Sequence, residues 1–241
     1  LIEVYNREAE RLFGKITRSE VEDNVDYSIK WTRAVKNDLA KGKQYIFKKE
    51  CIIDSLYRPF VQKKLYFNHE LNEMQYQLPT IFPNPESENI AITFSGTGSS
   101  KPFSVLVVNI GFSHDFLEKT QCLPLYRYDR EGERRDNITD WALKQFQSHY
   151  RDKAITRLDI FHYVYAVLHD PAYREKYRLN LKREFPRLPF YDDFRKWMAW
   201  GGWLMELHIG YEQAAPYPLT RIEIKPEPGK PPLTVKAILK A

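Results

Sequence analysis

Cysteine is scarce in this chain: Cys51 and Cys122 are the two among 241 residues, and they form no C-x-x-C pair or other ligand spacing. That excludes a disulfide framework and a thiolate metal site, and reads as two buried thiols in a reducing compartment, the cytoplasm. No apolar run approaches the roughly 20 residues needed to span a bilayer. No basic-then-apolar leader opens the chain, so no membrane partner is expected. A G-x-x-x-x-G-K-[ST] string is also missing, which excludes a P-loop nucleotide site.

What is present suits one main core: 43% of residues are hydrophobic and 15% aromatic. Lys plus Arg number 37 against 32 Asp plus Glu, a net charge of +5 that favours a polyanionic partner without requiring one. The chain opens at Leu1 and ends beyond a strand-like run at Lys230 to Ala237, as a piece of a longer polypeptide would.

Periodicity divides the chain into three parts. Val25, Ile29, Thr32, Val35 and Leu39 recur at helical steps and Gly42 follows as a stop, so residues 1–42 read as a helical spacer or arm. From 43 to 128 short β-rich runs (Tyr45 to Phe47, Cys51 to Ile53, Lys64 to Phe67, Ile90 to Phe94, Phe103 to Ile110) predict a central mixed, largely antiparallel sheet, with Val105 to Val108 covered on both faces. A polar loop, Asp129 to Asn137, then leads into a helical layer. Thr156 and Asp159 form a capping box, Asp170-Pro171 starts a helix striped by Tyr173, Tyr177, Leu181 and Phe185, and a last helix runs from about Asp193 to His208. The plan is α+β.

Several strings resemble chemical sites. Phe94-Ser-Gly-Thr-Gly-Ser-Ser has the F-x-G-x-G turn of AdoMet methyltransferases, but a strand follows the glycines where that site needs a helix, so a hairpin loop is expected. Asn84-Pro85-Glu86 lacks the second proline and the aromatic of an amino-methyltransferase turn. Arg221 to Lys225 carries the apolar-Glu-x-Lys pattern of a metal-dependent nuclease, with Glu223 to hold Mg²⁺ and Lys225 to orient water, but no aspartate on a neighbouring strand completes it. His162 and His169 share a helical face but lack the third ligand that zinc wants. The tryptophans from Trp197 to Trp203, with Gly201-Gly202 between, have the spacing of core packing rather than of a base-stacking platform.

Two basic stretches carry more weight. Leu56 to Phe67 joins Arg58, Lys63 and Lys64 to aromatics, and Tyr126 to Arg135 holds Arg127, Arg130, Arg134 and Arg135. Residues 119–196 contain 17 Lys plus Arg against 12 Asp plus Glu. Arginine suits both tasks of a DNA reader, the phosphate clamp and the two-pronged bond to guanine O6 and N7. With Lys101, which follows the glycine loop, these are the candidate DNA-binding residues.

The order Ser55-Leu-Tyr-Arg-Pro-Phe, Leu123-Pro-Leu-Tyr-Arg-Tyr, Asp159 through Tyr177, and Phe185-Pro-Arg-Leu-Pro-Phe resembles the carboxy-terminal specificity domain of type ISP restriction-modification enzymes and their predicted-helicase relatives. The resemblance runs from about residue 43 to the end. It implies a target-recognition domain over 43–241, truncated at its carboxy terminus, without catalytic residues of its own. The implied parent is an adenine-N6 DNA methyltransferase, helicase-like translocase and endonuclease using AdoMet, ATP and Mg²⁺. Its implied partners are double-stranded DNA and the methyltransferase domain of the same polypeptide. On this view Tyr57-Arg58-Pro59-Phe60 is mainly structural, with Arg58 against a carboxylate, and the loop bearing Arg130, Arg134 and Arg135 meets DNA.

Overall fold

The computed structural model describes residues 1–216 and 218. The chain divides into two compact units, Leu1–Tyr211 and Glu212–Ala241, and only residues 212–216 and 218 of the second are described. The Arg221 to Lys225 nuclease pattern and the run to Ala237 lie outside the described residues.

The first unit opens with helices α1 (Ile2–Leu12), α2 (Val21–Asn24) and α3 (Arg33–Ala40). They build a core of their own from Tyr5, Ala9, Leu12, Val21, Trp31, Val35 and Leu39, so this segment is a packed body rather than a bare arm. The helix expected from Val25 begins only at Arg33. Thr32 sits in extended backbone and its hydroxyl caps Val35 N, while Trp31 turns inward and donates to the Asp26 carbonyl at 2.9 Å. Beyond α3, Gly42 at φ +68 allows Gly42 N to reach Leu39 O and Lys43 N to reach Asp38 O, the paired bonds that close a helix end.

The single sheet expected over 43–128 is three separate antiparallel sheets, so the α+β class stands while its sheet is divided. Strands β1 (Ile52–Arg58) and β2 (Val61–Tyr66) form a hairpin, then the short helix α4 (Leu78–Ile81) leads to β3 (Ala91–Phe94), β4 (Val105–Val108) and β5 (Gln121–Pro124), ordered β4-β3-β5. The third sheet pairs β6 (Tyr126–Tyr128) with β7 (Arg134–Asp136), so the loop expected from Asp129 to Asn137 is half hairpin. Tyr45 to Phe47 is no strand, because Tyr45 leaves sheet geometry to stack on Tyr5 at 4.0 Å. Strand β4 is covered on both faces as expected, with Leu106 half-buried, and β3 is buried along its whole length. Its one polar side chain, Thr93, satisfies its hydroxyl on the Leu106 carbonyl at 2.7 Å.

The helical layer comprises α5 (Asp140–Tyr150), α6 (Arg157–His169), α7 (Pro171–Lys176) and α8 (Phe194–Ile209). Both bonds of the Thr156–Asp159 capping box form, and Asp170 caps α7 through Ala172 N and Tyr173 N. The stripe to Phe185 does not continue as helix. After Lys176 the chain folds back, with Gly98 N on the Lys182 carbonyl and the Tyr173 hydroxyl on the Arg187 carbonyl. Helix α6 is central: Ile160, Phe161, Tyr163, Tyr165, Val167 and Leu168 are buried on nearly all sides, each apolar side chain contributing about 1.5–3 kcal/mol. Gly201 explains the Gly-Gly step inside α8, since a Cβ there would stand 1.8 Å from the His162 carbonyl. The Tyr165 hydroxyl accepts from Val107 N at 3.0 Å and ties this layer to β4.

Candidate nucleic-acid interface

Register decides where the basic residues go. Val108 and Pro124 both pair with Ala91, so the segments after β4 and after β5 leave the same end of β3. From that end Gly111 to Ser113 runs beside β1, where Leu56 N donates to Gly111 O and Ser113 N to Leu56 O. The β6–β7 hairpin leaves there too. Lys101 sits in the β3–β4 loop at the Phe94 end of the strand and is thereby separated from the other candidates.

The β6–β7 hairpin is fixed at its base by Asn89, a buried amide that donates to the Ile81 and Tyr126 carbonyls and accepts from Ile90 N and Tyr126 N. Its tip closes through Gly132 at φ +84, with Glu133 N on the Asp129 carboxylate at 2.9 Å. On this rigid ribbon Arg127 and Arg135 are direct cross-strand partners, and both are exposed. Like charges placed opposite each other destabilise a hairpin, and here an acid of the same hairpin offsets the pair from the Arg135 side. Arg127 is steadied by the Gln77 side-chain oxygen at 3.0 Å and Arg135 by Asp129 at 2.7 Å. Arg134 lies over the Tyr126 ring at 4.3 Å. Arg130, at the tip, makes no bond to a described residue.

The β1–β2 hairpin separates its two adjacent lysines. Lys64 is paired with Asp54 at 2.7 Å, whereas Lys63, on the other face, lies over the Tyr57 ring at 4.4 Å. Arg58 is not against a carboxylate: it is half-buried, sits 4.3 Å from the same ring, and donates to the Tyr57 carbonyl and the Ser113 hydroxyl. Phe60, at φ +59, is held at the tip by the Tyr211 hydroxyl, which donates to its carbonyl at 2.7 Å.

These contacts join the two hairpins into one track. Next to Ser113, His114 stacks on Tyr76 at 5.2 Å, and next to Tyr76, Gln77 receives Arg127. Lys63, Tyr57, Arg58, Ser113, His114, Tyr76, Gln77, Arg127 and Arg135 thus alternate cationic, aromatic and polar groups, the combination that binds phosphates and stacks bases. Tyr76, Gln77, Ser113 and His114 were not expected from sequence. Beside the track, along the open edge of β5, lies a cleft of about 570 Å³ whose walls include Gln75, Tyr76, His114, Gln121 and Arg127.

The other sequence signals resolve differently. The glycine loop is a hairpin loop as expected, and its donors are used internally. Ser99 Oγ, Ser100 Oγ, Ser100 N and Lys101 N converge on Glu118, which lowers that carboxyl to about 2. His169 Nδ1 meets the Tyr165 carbonyl at 2.8 Å, and burial pushes its imidazole down to about 4. Among the described residues no group of three or more His, Cys, Asp or Glu could hold a metal ion. Both cysteines are half-buried rather than buried, and burial raises the Cys122 thiol to about 11. Of the tryptophans Trp197 packs on the core, but Trp200 and Trp203 are 46% and 62% exposed, so the stretch is only partly core. No described helix is long and apolar enough to cross a membrane.

Comparison with known proteins places this architecture. The family model of the type ISP C-terminal specificity domain matches residues 1–238, so the chain belongs to that family. The match includes residues 1–42, ahead of the span from about residue 43 over which the sequence motifs resemble the family. The chain is similar to part of the cryo-EM structure of a DrdV–DNA complex, with 53% identity and TM-score 0.88 over 95% of this chain and 22% of that one. It is also similar to a nuclease-deletion mutant of the type ISP restriction-modification enzyme LlaGI in complex with a DNA substrate mimic. There the identity is 32% and the TM-score 0.75, over 88% of this chain and 19% of that one. The DNA-bound, ATP-dependent type ISP enzyme LlaBIII shares the fold at 24% identity and TM-score 0.77, over 91% of this chain and 14% of that one. The chain therefore spans about a fifth or less of the proteins it matches. No curated protein matches it.

Proposed function

We propose that this chain reads a DNA site on behalf of a longer restriction-modification polypeptide and has no catalytic centre of its own. Arg127, Arg130 and Arg134 carry the reading: three exposed cations on one hairpin meet no carboxylate among the described residues, and Arg127 stands opposite Arg135, whose charge Asp129 answers. In the division of labour we assign, Lys63, Arg58 and Arg130 hold phosphates, while Arg127, Arg134 and Arg135 are aimed at base edges and the adjoining backbone. Lys64 and Lys101 take lesser parts, Lys64 through its pairing with Asp54 and Lys101 through its distance from the track. The DNA bound by DrdV and LlaGI in their complexes supports this use of the shared fold.

AdoMet, ATP and Mg²⁺ would serve methyltransferase, translocase and nuclease parts elsewhere in such a cytoplasmic protein. Residues 43–241 would do the reading, with 1–42 as the helical connection. A second reading, a protein-docking scaffold for the methyltransferase, draws on the exposed Trp200, Trp203 and Leu207 of α8, and it concerns a different face.

The test is the salt dependence of duplex binding by the full-length natural protein and by its Arg127→Ala, Arg135→Ala double variant. Losing two phosphate neutralisations lowers the slope of log affinity against log salt by about 1.8. An unchanged slope and affinity would remove these arginines from the interface and leave the docking reading in place.

A further inference from the structure

We infer that the cleft beside β5 accepts a single base unstacked from the bound duplex, with Tyr76 as its stacking platform. This rests on the DNA-reading function proposed above and adds to it a site of defined chemistry.

Three observations converge there. Tyr76 is 65% exposed and stands at φ +49, a left-handed backbone that bulky side chains seldom adopt, and its ring is backed by His114 at an interplanar angle of 25°. A platform with one face supported and the other open is what a base stacks upon. Gln75 and Gln121, half-buried on the cleft wall, have side-chain amides with no partner among the described residues. Each offers two N–H donors and a carbonyl acceptor, the complement of a nucleobase edge once the base has left its pair. Arg127 stands at the same cleft, next to the cross-strand pair that we assign to DNA, so a flanking phosphate is within its reach. An apolar protein side chain would leave both amides unanswered, whereas a base answers them and uses the ring as well.

Photocrosslinking with the full-length natural protein tests this. Duplexes carrying one 5-iodouracil or 5-iodocytosine, moved step by step through the recognised site, should give a crosslink to Tyr76 or His114 at one position. At that position 2-aminopurine fluorescence should change on binding, and deleting the opposing base should tighten binding several-fold because the unpairing cost is removed. Tyr76→Ala should abolish the crosslink and weaken binding by about tenfold, whereas Arg127→Ala should lower the salt slope by about one phosphate contact. DNA bound with its usual salt slope, but with no position crosslinking to the cleft, would overturn the base site and leave the DNA-reading function intact. Absence of salt-sensitive DNA binding would overturn both.

Discussion

The first forty-five residues and the β6–β7 hairpin are both rich in cations and treat them in opposite ways. In the amino-terminal helices Arg7 meets Asp26, Arg11 meets Glu8 and Lys36 meets Glu22, while Lys43 reaches Glu70 at 2.7 Å. Arg33 likewise reaches Glu73 at 2.7 Å. On the hairpin Arg135 meets the Asp129 carboxylate at 2.7 Å, but Arg127 has only a neutral amide, Arg134 lies on a tyrosine ring, and the tip arginine has no partner among the described residues. Net charge treats these regions alike; partners do not. A cation answered by its own carboxylate is part of the fold, and one left on a neutral amide, a ring or nothing is available to something outside it.

The largest expected effect falls on the hairpin. Replacing Arg127 and Arg135 by alanine should lower DNA affinity on the order of 10² to 10³, at about 1–3 kcal/mol per arginine that reads a base. The same variant should unfold about as easily as the natural protein, because relief of cross-strand repulsion and loss of the Arg135–Asp129 pair are each worth under about 1 kcal/mol. Urea melts read beside gel retardation would separate the two effects, and lower stability together with lower affinity would show that the pair belongs to the fold after all.

A weaker effect is expected where the hairpin is anchored. Asn89→Ala leaves the buried Ile81 and Tyr126 backbone groups without their bonds and should cost about 2–3 kcal/mol. Because the arginines remain, DNA affinity should fall while the salt slope stays near its natural value. A slope that falls as far as in the arginine variant would mean that rigidity and charge cannot be separated here.

In the amino-terminal region the contrast predicts acid sensitivity instead. Glu8 is buried, and the Arg11 guanidinium holds its carboxyl below the ordinary 4.5. A carboxyl with a depressed native value stabilises fully above its unfolded value and loses that contribution as pH falls through the native one. Glu8→Gln should therefore cost about 1–2 kcal/mol near neutral pH and less near pH 3, seen as a difference in melting temperature that narrows below about 4.5. An equal cost at both pH values would assign the effect to packing.

Local signals were legible in the sequence. Thr156 with Asp159 and Asp170 before Pro171 both cap as read, because a cap depends on residues two or three apart. The arginines at Arg127, Arg134 and Arg135 were legible as a basic stretch. Their pairing was not, since it depends on the turn at Gly132 setting the register. The division into three sheets was hidden for a related reason: strands of three to seven residues look alike whether they pair with each other or with a distant segment. Tyr76 and His114 lie 38 residues apart and meet only after the chain has returned along β1. No spacing rule reaches that far, and nothing in a tyrosine announces a positive φ.

The smallest expected effect is the control on which the contrast depends. Arg33 and Glu73 form an exposed pair bridging the helical region and the segment before the track, and Arg33 is bonded through both Nε and Nη2. An exposed pair of this kind is worth under about 0.5–1 kcal/mol, so Arg33→Ala should shift the urea midpoint barely, leave the DNA salt slope unchanged, and alter affinity by less than about twofold at moderate ionic strength. The variant removes one positive charge, as does Arg127→Ala. If the two lowered affinity alike, DNA would be responding to overall charge and the pairing pattern would carry no information. A large loss for Arg127→Ala against almost none for Arg33→Ala would establish that the neighbour each arginine faces, rather than the number of arginines, marks the surface that meets nucleic acid.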